Sequence, residues 1–260
     1  MEGALSYPQM RVAGVSLEYR YLRAAADAPT LVLLHEGLGC VALWRDLPER
    51  LVVKTGCSVF AYSRAGYGGS DPIELPRPLS YMSDEAQHVL PFVLAHANVE
   101  NYSLVGHSDG ATIALAYAAR STDPGLNSVV VLAPHVFIEA CAIEAISRIR
   151  DEYSESYLRD RLSKYHRSNV DCAFYGWCDS WLNPKFLEWS IESDLADISI
   201  PILQIQGRDD QYGTEEQLRR IERGVSSEVQ TVLLEECGHS PHQEQPQLFL
   251  EAIADFIDRG

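Results

Sequence analysis

The chain has 260 residues, of which 46% are hydrophobic and 22% are charged, and its formal net charge at pH 7 is −16. This acidic balance excludes nucleic acid and anionic membrane surfaces as expected partners, because both require positive charge on the protein. No apolar run approaches the roughly 20 residues of a membrane span, and residues 1–5 lack the features of a secretion signal. With six cysteines and no C-x-x-C pair, we expect a cytoplasmic protein with free thiols.

Short apolar runs alternate with helical patterns from residue 30 to the end of the chain. This alternation predicts the α/β class, with a mostly parallel, twisted sheet flanked by helices. Residues 11–19 predict an antiparallel hairpin at the sheet edge. The predicted strands span 30–35, 58–62, 102–105, 128–132, 200–206 and 228–234. The predicted helices span 42–54, 83–97, 108–120, 215–224 and 246–259, with a kink or a late start at Pro91.

Residues 136–196 interrupt this alternation. About sixty residues separate two predicted strands there, and a plain crossover needs far fewer. Ile143 and Ile146 begin an apolar series at helical spacing, which predicts an amphipathic helix. We therefore expect a helical cap at 136–196, inserted into a core domain that comprises residues 1–135 and 197–260.

A five-residue motif, Gly106-His107-Ser108-Asp109-Gly110, lies between an apolar strand pattern and a helical pattern. The turn from strand to helix is so tight that side chains at Gly106 and Gly110 would collide with neighbouring backbone. The motif predicts a nucleophile elbow, in which Ser108 stands above the sheet edge with strained backbone angles.

A serine hydroxyl is a weak nucleophile at neutral pH, so Ser108 needs a histidine base and a carboxylate that orients the base. Asp209 and Asp210 follow one predicted strand, and His239 follows the last predicted strand. The carboxyl ends of parallel strands meet at one edge of a sheet. The order serine, aspartate, histidine at strand ends therefore predicts a catalytic triad, with Asp209 and Asp210 both open as the acid.

Three further motifs carry a resemblance to a known family. They are residues 35–39 (His-Glu-Gly-Leu-Gly), the glycine-rich stretch 63–70, and residues 238–246, which begin Gly-His-Ser-Pro. Together with the elbow they make the chain resemble the α/β-hydrolase family over nearly its whole length outside the cap. The resemblance implies the α/β-hydrolase fold, a mostly parallel twisted sheet flanked by helices, with an inserted helical cap.

The resemblance also assigns roles to individual residues. It implies that Ser108 is the nucleophile, that His239 is the base and that Asp210 is the acid, since the family's acid lies three residues after the glycine. It further implies that the backbone N–H groups of Gly37 and Asp109 form the oxyanion hole. On this assignment the side chain of Asp109 is incidental.

Glu36 departs from the family pattern, which usually has glycine after the histidine. A carboxylate beside an oxyanion hole opposes the developing negative charge, so we expect Glu36 to point away and pair with a donor, or to contact the substrate. The chain lacks an H-E-x-x-H motif, and we expect no metal site and no cofactor. The residues expected to bind substrate are Glu36, His107, His135, Trp177 and Trp181.

The resemblance implies a serine hydrolase that cleaves a small-molecule carboxylic ester through an acyl-enzyme. The motifs at 35–39 and 106–110 are similar to those of a bacterial subgroup that includes macrolide esterases. This similarity predicts a lactone substrate that carries an amino sugar, and a role in antibiotic resistance. The cap contains acidic residues that would suit such a cation: Glu139, Glu144, Asp151, Glu152, Glu155 and Asp160.

Three alternative functions stay open at the level of the sequence. One is a proline-releasing aminopeptidase, although such enzymes usually carry His-Gly-Gly-Pro-Gly in the oxyanion loop and this chain does not. The second is a carbon–carbon bond hydrolase. The third is a ligand receptor that keeps the triad on a hydrolase scaffold but does not turn over its ligand.

Overall fold

The computed structural model describes residues 6–155 and 157–259, with the side chain of Glu155 excepted. The expectation for residues 1–5 and the role of Glu155 as a cap acid therefore lie outside the described residues. Within them, strands assemble into one eight-stranded sheet. The strands are β1 (Gln9–Val12), β2 (Val15–Leu22), β3 (Thr30–Leu34), β4 (Ser58–Tyr62), β5 (Tyr102–His107), β6 (Leu126–Leu132), β7 (Ile202–Gly207) and β8 (Val229–Leu234).

The strand order is β1-β2-β4-β3-β5-β6-β7-β8. Strands β1 and β2 pair antiparallel with each other, and β2 pairs antiparallel with β4, whereas the other neighbours are parallel. Ala13 and Gly14 have φ angles of 49° and 89°, and two consecutive positive φ angles are what a tight two-residue hairpin turn requires. The predicted edge hairpin and the mostly parallel sheet are confirmed.

Helices cover both faces of the sheet, which leaves β3, β4 and β5 buried along their whole length, as expected for parallel strands. The helices are α1 (Leu47–Thr55), α2 (Tyr81–Asp84), α3 (Leu90–Ala97), α4 (Asp109–Ala118), α5 (Ala140–Glu155), α6 (Leu158–His166), α7 (Val170–Trp181), α8 (Glu215–Gly224), α9 (Pro241–Glu244) and α10 (Pro246–Ile257).

The predicted helix 83–97 is interrupted before Pro91. Helix α2 passes into a π-helical turn, Glu85–Val89, and only then into α3. Proline lacks an N–H and its ring collides with the carbonyl of the fourth residue before it, so the wider turn relieves that clash. The helix predicted from residue 42 begins instead at Leu47, because Arg45 has a φ of 52° that ends a short 3₁₀ turn at Val41–Trp44.

Residues 136–196, called the cap segment below, contain α5, α6 and α7 followed by a 3₁₀ turn, Pro184–Glu188, and by all but the last residue of a second one, Glu192–Asp197. Side chains of α7 such as Phe174 and Trp181 belong to the same buried cluster as residues of the sheet. The division into a core domain and a separate cap domain stays a prediction. Among the described helices, none combines the length and the apolar character needed to cross a bilayer.

Candidate active site

Ser108 lies at the junction of β5 and α4 with φ 54° and ψ −116°. A positive φ is strained for a residue that has a Cβ. A Cβ on Gly106 would come within 2.2 Å of the Gly110 carbonyl oxygen, and a Cβ on Gly110 would come within 2.0 Å of the Leu34 carbonyl oxygen. Only glycine fits at both positions, so the local geometry is that of the predicted elbow.

His239 is held by Asp210. Its Nδ1 lies 2.9 Å from each oxygen of the Asp210 carboxylate, and the backbone N–H of Tyr212 donates to the same carboxylate at 2.8 Å. The side chain of Asp210 is 1% exposed. Burial by itself would raise the pKa of Asp210, but the charge and hydrogen bond of His239 and the Tyr212 N–H together hold this pKa below its ordinary value.

The other acidic candidates do not contact His239. Asp209 is exposed, and its backbone N–H donates to the carbonyl of Cys237 at 2.9 Å. Glu139, an acid of the cap segment, accepts hydrogen bonds from Thr214 and Gln217 instead. Of the two neighbouring aspartates after β7, Asp210 is therefore the one whose carboxylate orients the imidazole.

Ser108 and His239 line one cavity of about 280 Å³ at the carboxyl edge of the sheet. Gly37 also lines it. Within the described residues, no hydrogen bond engages the backbone N–H of Gly37 or of Asp109, so both donors are free, although their role as an oxyanion hole stays a prediction. The five residues that the sequence assigns to substrate binding line the same cavity: Glu36, His107, His135, Trp177 and Trp181.

Gly37 is in close contact with a tryptophan of the cap segment. A Cβ on Gly37 would lie 2.2 Å from both Cδ1 and Nε1 of Trp177, a distance that no side chain tolerates. The indole of Trp177 thus packs directly on the backbone of the loop after β3. Helix α7 therefore helps to set the position of the Gly37 N–H.

Glu36 pairs with His107 across two neighbouring strand ends. Glu36 Oε2 lies 3.5 Å from His107 Nδ1, and the two side chains are 25% and 2% exposed, respectively. On its other side, His107 Nε2 donates to the backbone carbonyl oxygen of His239 at 2.8 Å. Glu36 thus faces the imidazole of His107 and also lines the cavity, and its contact with a substrate stays a prediction.

His135 follows β6 and is buried, with its ring 5.0 Å from that of Trp181. Burial, together with the nearby charge of His239, lowers the pKa of His135 to about 3, so this imidazole is neutral at physiological pH. In the described part of the chain, its ring nitrogens make no hydrogen bond. A neutral imidazole therefore faces the cavity with its hydrogen-bonding capacity unused.

The structure corrects the expectation for the side chain of Asp109. This carboxylate is fully buried and accepts a hydrogen bond of 2.6 Å from the Tyr81 hydroxyl. Trp181 Nε1 donates to it at 3.2 Å, and Arg64 lies 3.9 Å away. The side chain of Asp109 is not incidental, because it ties a tryptophan of the cap segment to α2 and to the helix behind the nucleophile.

The sequence analysis did not identify three residues that shape the cavity. Ala142 and Ile146 of α5 line it, as does Tyr212, whose ring lies 4.6 Å from that of His239. Helical spacing predicts the apolar face of α5 but not what that face packs against. No group of histidine, cysteine, aspartate or glutamate side chains in residues 6–155 and 157–259 forms a candidate metal site.

Comparison with known proteins finds hydrolases that are similar to this chain in sequence or in fold. A curated relative, the 2-hydroxy-6-oxononadienedioate/2-hydroxy-6-oxononatrienedioate hydrolase of Cupriavidus pinatubonensis, is 25% identical over 89% of this chain and 88% of its own length. An esterase from Exiguobacterium antarcticum superposes with a TM-score of 0.76 at 17% identity, covering 98% of this chain and all of that one. The enol-lactonase of Burkholderia xenovorans LB400 superposes with a TM-score of 0.72 at 19% identity, covering 96% and 100% of the two chains.

The model of the alpha/beta hydrolase family matches residues 31–252. This range begins in β3, includes the elbow and the cap segment, and ends in α10 beyond His239. The two solved structures are similar in fold along almost their whole lengths, in agreement with the family match. The chain belongs to the alpha/beta hydrolase family.

Proposed function

We propose that the protein is a serine hydrolase that cleaves a small, uncharged carboxylic ester through an acyl-enzyme. The observation that carries the proposal is that Ser108, strained on its elbow, and His239, held by the buried Asp210, line the same cavity. A nucleophile and a base in one cavity, with an acid behind the base to orient it, are the minimum that acyl transfer by serine requires.

In the proposed mechanism, His239 takes the proton of the Ser108 hydroxyl as the serine oxygen attacks the ester carbonyl carbon. The free N–H groups of Gly37 and Asp109 stabilise the oxyanion, each by about 3 kcal/mol. The alcohol leaves with the proton that His239 returns, and a serine ester remains. Water then attacks that ester while His239 again takes and returns one proton, which releases the acid and restores Ser108.

The size of the cavity favours a small substrate. Its volume of about 280 Å³ lies just below the range of ~300–1,000 Å³ that is usual for drug-sized ligands, which favours a small acyl or alcohol group. The macrolide hypothesis finds no support in this volume, and we propose a simpler ester or lactone.

The charges around the cavity favour an uncharged substrate. None of the described residues that line it is lysine or arginine, so the cavity offers no cationic side chain of that kind to a dicarboxylate such as the one named in the Cupriavidus relative. The carboxylate of Glu36 faces His107, and that of Glu244 accepts the backbone N–H groups of Gly238 and Ser240. These contacts leave no unpaired carboxylate for an amine, which argues against the aminopeptidase alternative as well.

The test combines a covalent probe with a substrate panel. A fluorophosphonate is expected to label Ser108 in the wild-type protein and not in Ser108→Ala, because it reports an activated serine. The purified protein is expected to hydrolyse p-nitrophenyl acetate and butyrate faster than a macrolide, a prolyl anilide or a dienedioate ring-cleavage product. Failure of both labelling and ester hydrolysis would favour the receptor alternative, and turnover of the dienedioate alone would establish the carbon–carbon hydrolase.

A further inference from the structure

We propose that Glu36 and His107 form a positioning pair for the catalytic base: His107 donates its Nε2–H to the backbone carbonyl of His239 and so fixes the distance between Ser108 and His239. The inference rests on the proposed function, since it concerns how that serine is activated. Neither residue is proposed to touch the reacting atoms.

The protons of His107 follow from its partners. A carbonyl oxygen can only accept, so the contact of 2.8 Å with His239 places a proton on His107 Nε2. The other ring nitrogen, Nδ1, is buried without a hydrogen-bond partner, and the nearest charged atom that faces it is Glu36 Oε2, at 3.5 Å. A lone pair on Nδ1 would point towards that negative charge, whereas a proton on Nδ1 makes the contact attractive. The geometry therefore favours a His107 imidazolium beside an ionised Glu36.

The titratable groups around His107 come from four loops and one helix. Glu36 follows β3, Asp210 follows β7, His135 follows β6, His239 follows β8, and His242 lies on α9. Burial would lower the pKa of His107, but the neighbouring Glu36 carboxylate outweighs it and raises this pKa above its ordinary value. Burial lowers the pKa of both His135 and His242 to about 3, so these neighbours are uncharged and do not oppose the cation.

His239 lies on a loop whose neighbouring N–H groups, those of Gly238 and Ser240, are held by Glu244, and His107 adds the contact to the backbone of His239 itself. The segment between β8 and α9 includes Glu236 with a φ of 50°, and loops are more mobile than the strands that they connect. Asp210 orients the imidazole but does not hold the backbone of this loop. His107 does hold it, and His107 is the residue directly before Ser108. One hydrogen bond therefore joins the strand that carries the nucleophile to the backbone of the base.

The positive charge of His107 strengthens its hydrogen bond to the backbone carbonyl of His239. Hydrogen bonds from a charged donor are roughly twice as strong as those between neutral groups. Catalytic groups must be held within ~0.5 Å of their productive positions, and a misplacement of ~1 Å can cost about 10²-fold in rate. The Glu36 carboxylate is tolerated next to the Gly37 N–H because its negative charge is directed towards His107.

The pair has a defined pH range. The pKa of His107 is raised in the folded protein. The stabilisation of the fold by its positive charge is therefore complete below the ordinary histidine pKa, and it is lost as the pH rises through the pKa of the folded state. The pKa of Glu36 is lowered, in spite of burial, by the neighbouring imidazole of His107. The stabilisation of the fold by the Glu36 carboxylate is present above the ordinary glutamate pKa, and it is lost as the pH falls through the pKa of the folded state. Both charges are present between these two limits.

Three substitutions separate positioning from simple packing. His107→Leu removes the donor and fills the space, and we expect kcat to fall about 10²-fold with KM nearly unchanged. His107→Gln keeps an N–H donor at the end of the side chain, and we expect it to recover most of that loss. Glu36→Gln removes the charge but not the shape, and we expect kcat to fall about tenfold, with its alkaline decline starting at a lower pH.

A nuclear magnetic resonance titration of the His107 ring reports the pair without any substrate. We expect both ring nitrogens to carry protons at pH 7 in the wild-type protein, and only one in Glu36→Gln. Matched controls are His88→Gln and Glu251→Gln, which change exposed residues of the same types and are expected to keep kcat within about twofold.

The outcomes distinguish this inference from the proposed function. If the wild-type protein reacts neither with the fluorophosphonate nor with esters, the function fails, while the ring titration still tests the pair. If the wild type is active and His107→Leu keeps its kcat within twofold of the wild type, the positioning role is overturned. A neutral His107 at pH 7 in the wild type, with an unchanged titration in Glu36→Gln, would overturn it independently of any rate.

Discussion

The two sides of the cavity differ in what they contribute. The sheet side consists of residues at strand ends, Ser108, His107 and His239 among them, and it carries the hydrogen bonds and titratable groups. The cap side consists of Ala142 and Ile146 from α5 and of the two tryptophans of α7. These four residues are apolar or aromatic. The contrast indicates that the sheet side positions the groups for the proposed proton transfer. The cap segment determines which substrate shapes fit.

The two sides also meet at two defined points. Trp177 packs on the backbone of Gly37, and Trp181 donates a hydrogen bond to Asp109. Both contacts end on residues whose backbone N–H groups are proposed to stabilise the oxyanion. The cap segment therefore affects the chemistry through positioning, and changes on each side are expected to have different signatures.

The largest effect is expected on the sheet side. Asp210→Asn removes the charge that supports the His239 imidazolium and disturbs its tautomer, and turnover is expected to fall by about 10⁴, as for the equivalent change in the triad of serine proteases. Asp209→Asn is the matched control at an exposed neighbour, with kcat expected within about twofold of the wild type. Both are measured as ester hydrolysis. Equal losses in the two variants would refute the assignment of Asp210.

A smaller effect, on stability, is expected where the two sides meet. Asp109→Ala removes the acceptor of the Tyr81 hydroxyl, one of the two acceptors of Trp181 Nε1, and the carboxylate that lies 3.9 Å from the Arg64 guanidinium. Removing one partner of a buried ion pair costs about 3–5 kcal/mol of unfolding free energy, which corresponds to a fall in Tm of roughly 10 °C. Thermal unfolding followed by circular dichroism measures it.

Asp109→Asn serves as the control for that prediction. It retains an oxygen that accepts from Trp181 while removing the charge that faces Arg64. We expect less than half of the loss seen with alanine. An alanine variant as stable as the wild type would mean that the carboxylate does not tie the cap segment to the sheet.

The next effect is expected from steric interference between the two sides. Gly37→Ala places a Cβ at 2.2 Å from Trp177, so either the indole or the Gly37 N–H must move. If the N–H moves, one oxyanion donor is lost, and kcat is expected to fall by about 10²–10³. The double variant Gly37→Ala/Trp177→Ala removes the clash and is expected to recover part of kcat. Additive losses in this cycle would show that the two residues are not coupled.

The sheet side was largely predictable from the sequence, and the reason is physical. Each of its groups follows a strand within a short local motif, so that Ser108, Asp210 and His239 could be recognised without knowledge of any distant contact. The glycines of the elbow follow in the same way from the space that a Cβ would need. Parallel strands then bring the three ends together at one edge.

The contacts that join separate motifs could not be predicted in this way. The pairing of Glu36 with His107 depends on two strand ends that are neighbours in the sheet but far apart in the chain. The elbow motif predicts a role for the backbone N–H of Asp109 but not the contacts of its carboxylate. Trp181, the partner of that carboxylate, lies on α7, and hydrophobic periodicity does not determine how this helix is oriented. The cavity volume likewise depends on how α5 and α7 pack, and that packing decides which ester fits.

The smallest effect is expected on the cap side alone, as a change of selectivity. Ile146 is buried and lines the cavity, so Ile146→Ala is expected to lengthen it and to raise the ratio of kcat/KM for p-nitrophenyl hexanoate over acetate by roughly tenfold, since a methylene in an apolar pocket is worth about 1–3 kcal/mol. Ile143→Ala, on the same helix but outside the cavity, is the control and is expected to leave the ratio unchanged. Labelling of Ser108 by a small fluorophosphonate should be the same in both variants, because the sheet side is untouched. A loss of labelling in Ile146→Ala without a change of the kcat/KM ratio would show that α5 keeps Ser108 reactive and does not select the substrate by its size.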